Sequence, residues 1–212
     1  AAQMKDVISL GVGEPDFVTP WSIRESCVYG LEQGYTSYTA NRGLLELRQE
    51  IVNHFHDKFQ TDYDPRTDVL VTVGVSEALD LAMRAILAPG DEVLIPEPCY
   101  VSYQACTILA GGVPVSVPAT IENEFRITPA ELEAYVTAKT KVLLIGYPNN
   151  PTGAIMTRKD LLAIADFAEK GKTDPLFKEL ARLVEKTHGI WNEQAEKYLL
   201  AQFGVDIGEA AQ

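Results

Sequence analysis

The chain has 212 residues, 46% of them hydrophobic and 23% charged, a balance that excludes disorder and leaves room for one large domain or a domain with an appendage. With 18 Lys and Arg against 30 Asp and Glu the formal net charge is −12, and no basic cluster stands out, so nucleic acid and anionic membranes are not the expected partners. Cys27, Cys99 and Cys106 have no metal spacing and are odd in number, which suits a reducing cytoplasm; no signal peptide or membrane span is read.

Val7 to Gly13 is a short apolar segment running into GVGEPDF, where Gly13, Pro15 and Asp16 spell a turn. Helical periodicity follows over Ile23 to Leu31 and over Leu44 to Phe59, the latter with Leu44, Leu47, Ile51, Val52 and Phe55 on one face; the polar aromatic loop GYTSYTANRG separates the two. After Asp64-Pro65 the pattern alternates. Strands are expected at Val69 to Val73, Glu92 to Ile95, Val113 to Val117 and Lys141 to Tyr147. Helices are expected at Ser76 to Leu87, Tyr100 to Leu109, Thr128 to Val136 and Thr157 to Glu169. Such alternation predicts an α/β class: three layers, α/β/α, around a mostly parallel sheet. From Gly171 the character changes to two amphipathic helices. One opens at Asp174-Pro175 with Leu176, Phe177, Leu180, Leu183 and Val184 on a face, and the other runs from Asn192 to before Gly204.

Three turns carry the chemistry. GYPNNPTGA, Gly146 to Ala154, follows an apolar run and so lies at a strand's carboxyl end, where open α/β sheets bind ligands; the amide of Asn150, fixed between prolines, can donate to a ligand oxygen, or the stretch is a plain Pro-rich turn. In VTVGVSEAL the backbone amides of Val75 and Ser76, with the Ser76 hydroxyl, form an anion site at a helix start, although Ser76 reads equally as an ordinary N-cap. PEPCYVSYQA puts Tyr100 beside a helix start, where it can stack on a planar heteroaromatic ring or simply be a half-buried core tyrosine. All three follow successive expected strands at one edge of one sheet. Any phosphate held there is held by amides and helix ends, since cations are lacking.

Five segments, ISLGVGEPDF, GYTSYTANRG followed by Leu47-Arg48, VTVGVSEAL, PEPCYVSY and YPNNPTG, stand in one order over residues 7 to 170. In that order and spacing the chain resembles the class I/II aminotransferases, fold type I enzymes that use pyridoxal 5′-phosphate. The resemblance implies that Val75 and Ser76 bind the cofactor phosphate, that Tyr100 stacks on the ring and that Asn150 hydrogen-bonds the ring hydroxyl. It implies further that Tyr38, five residues before Gly43, reaches across a homodimer to the neighbouring subunit's phosphate, and that Gly13 lies near the substrate carboxylate. It divides the chain into an N-terminal arm and dimer-contact loop over 1–45, a partial cofactor-binding large domain over 46–170, and a helical tail over 171–212. An α-amino acid and a 2-oxo acid are the implied partners, with a homodimer or other self-association.

The family's covalent lysine, in a Ser-x-x-Lys context beyond the NPTG turn, is not found in this sequence, nor are its DE-x-Y segment and its two substrate-gripping arginines. Lys172, Lys178, Lys186 and Lys197 read as solvated charges, and nothing around Asp206 supports a role on the pyridinium nitrogen. The chain is therefore expected to hold pyridoxal phosphate noncovalently at most and to be inactive alone. The tail reads as a helical segment joined by truncation, fusion or engineering, covering a sheet with open edges. Two rivals remain: a non-enzymatic binding or assembly module with a vestigial cofactor site, and a fold type I lyase or decarboxylase ancestry.

Overall fold

In the computed structural model, residue 11 and residues 13–171 are described, and the expected two-helix tail falls outside them. The strand that organises them is β1, Glu92–Glu97, whose Val93, Leu94 and Ile95 are at most 1% exposed. A strand buried on both faces must have a layer above and below it. Leu94 points into a cluster with Val117, Ile127, Leu132, Met156 and Ile164, while Val93 and Ile95 point the other way, onto Met83 and Cys106. The first cluster is capped by α5, Pro129–Glu133, and α6, Arg158–Gly171; the second by α3, Gly74–Ile86, and α4, Ser102–Leu109. The fold is thus a three-layer α/β/α arrangement, as alternation of strand and helix requires.

The sheet is parallel in the order β2-β1-β3, with β2 at Val113–Pro118 and β3 at Thr140–Leu143. β1 pairs with β2 along its length and with β3 only from Glu92 to Leu94. Pro96 therefore lies where β1 has a neighbour on one side alone, a position that tolerates a missing N–H, so the strand runs two residues past the expected Ile95.

One expected strand does not form. Val69 to Val73 is irregular, with Leu70 52% and Val73 89% exposed, and among the described residues its backbone bond to a distant segment is that from Val71 N to Arg42 O at 3.1 Å. An extended apolar run becomes a strand only beside a partner edge, and among the described residues none lies there.

Local chemistry sets the helix starts. Thr128 accepts from Glu131 N at 3.3 Å while the Glu131 carboxylate accepts from Thr128 N at 2.7 Å, a reciprocal cap ahead of Pro129. Thr157 and Asp160 repeat the device for α6. In α2, Leu45–Phe59, the expected apolar face is buried only in its middle: Val52 is buried and Ile51 half-buried, whereas Leu47 and Phe55 remain exposed, and Arg48 is buried beside them.

The described residues fall into two compact units divided between Asn41 and Arg42. The first contains α1, Trp21–Glu32, none of whose residues is buried. The second contains the sheet and its layers.

Candidate functional site

The carboxyl end of β1 and the start of α3 meet in the second unit. Gly74 opens α3 at φ +76°, a value only glycine adopts freely, and its N–H turns back to Thr72 O at 3.0 Å. The Val73 N–H is taken by the Glu77 carboxylate. Val75 N and Ser76 N donate to no described residue, so two of the unpaired amides of a 13-residue helix belong to exposed residues and lack a partner among the described residues. Positive dipole and free donors together favour an anion there.

Hydroxyls gather at the same place. Ser76 Oγ lies 3.1 Å from Tyr100 Oη and 3.2 Å from Ser102 Oγ. Hydrogen bonding from Ser102 first and Ser76 second lowers the Tyr100 phenol below its ordinary pKa, so its oxygen is polarised toward the helix start. The groups that meet here are amides and hydroxyls, none of them a cation. Such a set can bind and orient an anion's oxygens; among the described residues it contains no free base that could shuttle a proton.

The NNPTG turn is tied into this assembly by its first asparagine. Asn149 Nδ2 donates to Pro98 O at 3.2 Å, two residues before Tyr100. Asn149 Oδ1 accepts from Thr152 Oγ1 at 2.9 Å, and Asn149 N and O close the turn onto Ala154 and Gly153. With Asn149 thus occupied, Asn150 is exposed, and its side chain donates to no described residue. A second contact joins the same loops: a Cβ at Gly146 would lie 2.5 Å from Tyr103 Oη, and Tyr103 packs edge-on to Tyr100 with ring centroids 5.8 Å apart. Burial pushes the Tyr103 phenol and the Cys99 thiol up from their ordinary values.

Of the residues singled out from the sequence, Val75, Ser76 and Tyr100 are therefore brought together, and the turn bearing Asn150 is hydrogen-bonded to the Tyr100 segment. Gly13 and Tyr38 lie in the first unit, both exposed, Tyr38 completely so. Sequence reasoning missed Ser102 and Asn149. A hydroxyl in the first turn of the helix after PEPCY was the available signal for Ser102; Asn149 was masked by its neighbour, because an asparagine pair does not say which member builds the turn.

The family described as aminotransferase class I and II matches residues 5–180. Aromatic-amino-acid aminotransferase 2 of Thermococcus litoralis is 49% identical over 168 residues, 79% of this chain and 43% of the relative; an aspartate aminotransferase of Pyrococcus abyssi is 51% identical over a stretch of the same length. The crystal structure of the aromatic aminotransferase from Pyrococcus horikoshii OT3 superposes with a TM-score of 0.75 at 48% identity, covering 80% of this chain and 45% of that one. The chain thus spans less than half the length of the relatives it matches. By the match over residues 5–180 and these identities, the chain belongs to the class I and II aminotransferases.

Proposed function

We propose that this chain carries the phosphate- and ring-binding part of an aminotransferase that moves an amino group between an α-amino acid and a 2-oxo acid. Members of this family use pyridoxal phosphate, and the observation that carries the reading is the convergence of two free α3 amides with the Ser76, Tyr100 and Ser102 hydroxyls. These groups fit a phosphate ester: two free amides and three hydroxyls that can turn their protons to its oxygens, at a helix start, with an aromatic ring alongside. When bound, the cofactor supplies an electron sink for the substrate's α-carbon. The amides of Val75 and Ser76 hold the phosphate, Tyr100 lies against the ring and fixes its tilt, and the exposed Asn150 amide donates to the ring hydroxyl.

In this reading Gly13 borders the substrate carboxylate, and Tyr38 reaches the phosphate site of a second copy in a homodimer. The exposure of Trp21, Ile23, Val28, Tyr29 and Leu31 along α1 supports self-association through the first unit. Among the described residues no helix is long and apolar enough to cross a membrane, and the three free cysteines support a reducing cytoplasm.

The polypeptide of 212 residues holds the cofactor noncovalently at most and does not transaminate by itself, because no lysine in a Ser-x-x-Lys context follows the NPTG turn. The test is addition of pyridoxal phosphate and an amino acid, borohydride reduction and mass spectrometry. Noncovalent binding that weakens in Asn150→Ala, with neither lysine adduct nor 2-oxo acid, is expected; one stoichiometric lysine adduct with 2-oxo acid release refutes inactivity, and unchanged affinity in Asn150→Ala refutes the assignment of that residue.

A further inference from the structure

Two arginines outside the site act on carbonyls rather than carboxylates. Arg48 is 7% exposed, yet among the described residues it meets no acid: its Nη1 donates to Pro65 O at 2.6 Å, and its Nε has no partner. Arg42 Nη1 donates to Arg66 O at 2.7 Å and approaches Thr67 O at 3.4 Å. The Arg48 Nη1 also approaches Arg66 O at 3.5 Å, and a buried guanidinium carries a desolvation cost that one short and one long carbonyl contact offset only in part.

Both grip the same turn. Asp64 closes it, with Arg66 N donating to Asp64 Oδ1 at 2.7 Å and Asp64 N to Asp68 Oδ2 at 2.9 Å. From this turn the chain runs through residues 69–73, which have no sheet neighbour among the described residues, to Gly74 and the free amides of Val75 and Ser76. A segment without a ladder is positioned by whatever holds its ends. Here a second grip exists: Val71 N donates to Arg42 O, and Gly43, at φ +88°, lets the backbone pass so closely that a Cβ would sit 2.7 Å from Val71 Cβ.

We propose that Arg42 and Arg48 are positioning residues for the phosphate turn, clamping the carbonyls of residues 65–67 so that the unladdered segment presents the Val75 and Ser76 amides at a fixed place. The inference rests on the function proposed above. A misplacement of the amides affects recognition of the phosphate, not of the ring, so the signature is the ratio of affinities for pyridoxal phosphate and for pyridoxal, which lacks the phosphate.

The experiment titrates the 212-residue chain with each of the two compounds by fluorescence, for wild type, Arg48→Met, Arg48→Lys and Arg42→Met. In the methionine variants the preference for pyridoxal phosphate falls about tenfold, equivalent to one hydrogen bond to a charged group. Arg48→Lys recovers most of it, because an ammonium still donates to Pro65 O. If Arg48→Met does not fold, Arg42→Met, whose side chain is exposed, carries the test. Preference unchanged in Arg42→Met, or both affinities lost in parallel in the folded variants, overturns the clamp while leaving the proposed function standing. A wild type that does not distinguish the two compounds overturns the proposed function and the clamp with it.

Discussion

Removing one hydroxyl tests the proposed phosphate site most directly. Ser76 is exposed, so Ser76→Ala leaves no buried group unsatisfied, and the change in folding stability stays within about 0.5 kcal/mol. Its effect on a bound phosphate is larger. The lost contacts within the protein are those to Tyr100 at 3.1 Å and Ser102 at 3.2 Å, exposed neutral bonds that water replaces, whereas a hydroxyl donating to a phosphate oxygen contributes about 1.5–3 kcal/mol. Affinity for pyridoxal phosphate is therefore expected to fall about 10- to 150-fold, measured by fluorescence titration alongside a denaturation curve. Because Ser76 and Tyr100 share a hydrogen bond, Ser76→Ala combined with Tyr100→Phe is non-additive by about 0.5 kcal/mol or more. A second observable needs no cofactor. With Ser76 gone the Tyr100 phenol moves part of the way back up toward its ordinary value of 10.0, but not all the way, since Ser102 is the larger cause of its shift. Affinity within twofold of wild type, with additive double substitution, would refute the reasoning.

The remaining predictions concern the frame around the site. Gly146→Ala places a Cβ 2.5 Å from Tyr103 Oη and destabilises by about 1–3 kcal/mol; adding Tyr103→Phe relieves the contact, since the next ring atom, Cζ, is 3.6 Å away, so the double variant is more stable than Gly146→Ala alone in urea titration. Leu94→Ala, at 1% exposure among Val117, Leu132 and Ile164, costs about 3–5 kcal/mol by the same assay, and a loss below about 1 kcal/mol contradicts its central place in the sheet. Tyr147 is raised above the ordinary 10.0, by burial first and then by Glu131 and Asp160. The folded state therefore holds that proton more tightly than the unfolded chain, and its stabilising contribution, complete below pH 10.0, is lost as pH rises through the shifted value. Tyr147→Phe, which also loses the 3.0 Å bond to Phe125 O, flattens the alkaline limb of the stability curve; an unchanged limb counts against the burial argument.

Much of this architecture could be read from local pattern. Thr128 and Thr157 each precede an acid three residues on, and each begins a helix because the two side chains satisfy each other's backbone amides, a contest settled within one turn of chain. The run at Glu92 is apolar on both faces and became the central parallel strand for that reason, with the runs at Val113 and Lys141 as its less buried neighbours. The same logic failed at Val69 to Val73, where the residue types suit a strand but the partner edge is supplied by no described residue.

What the sequence alone determined is the family and most of the strand-helix alternation, because each rests on residues adjacent in the chain. What only the tertiary structure decided is which groups share a point in space. Ser76 meets Tyr100 and Ser102 across intervals of 24 and 26 residues, and Asn149 reaches Pro98 across 51. Those distances depend on how α3 and α4 pack against one face of β1, and packing is a collective property of buried volume that no local pattern encodes.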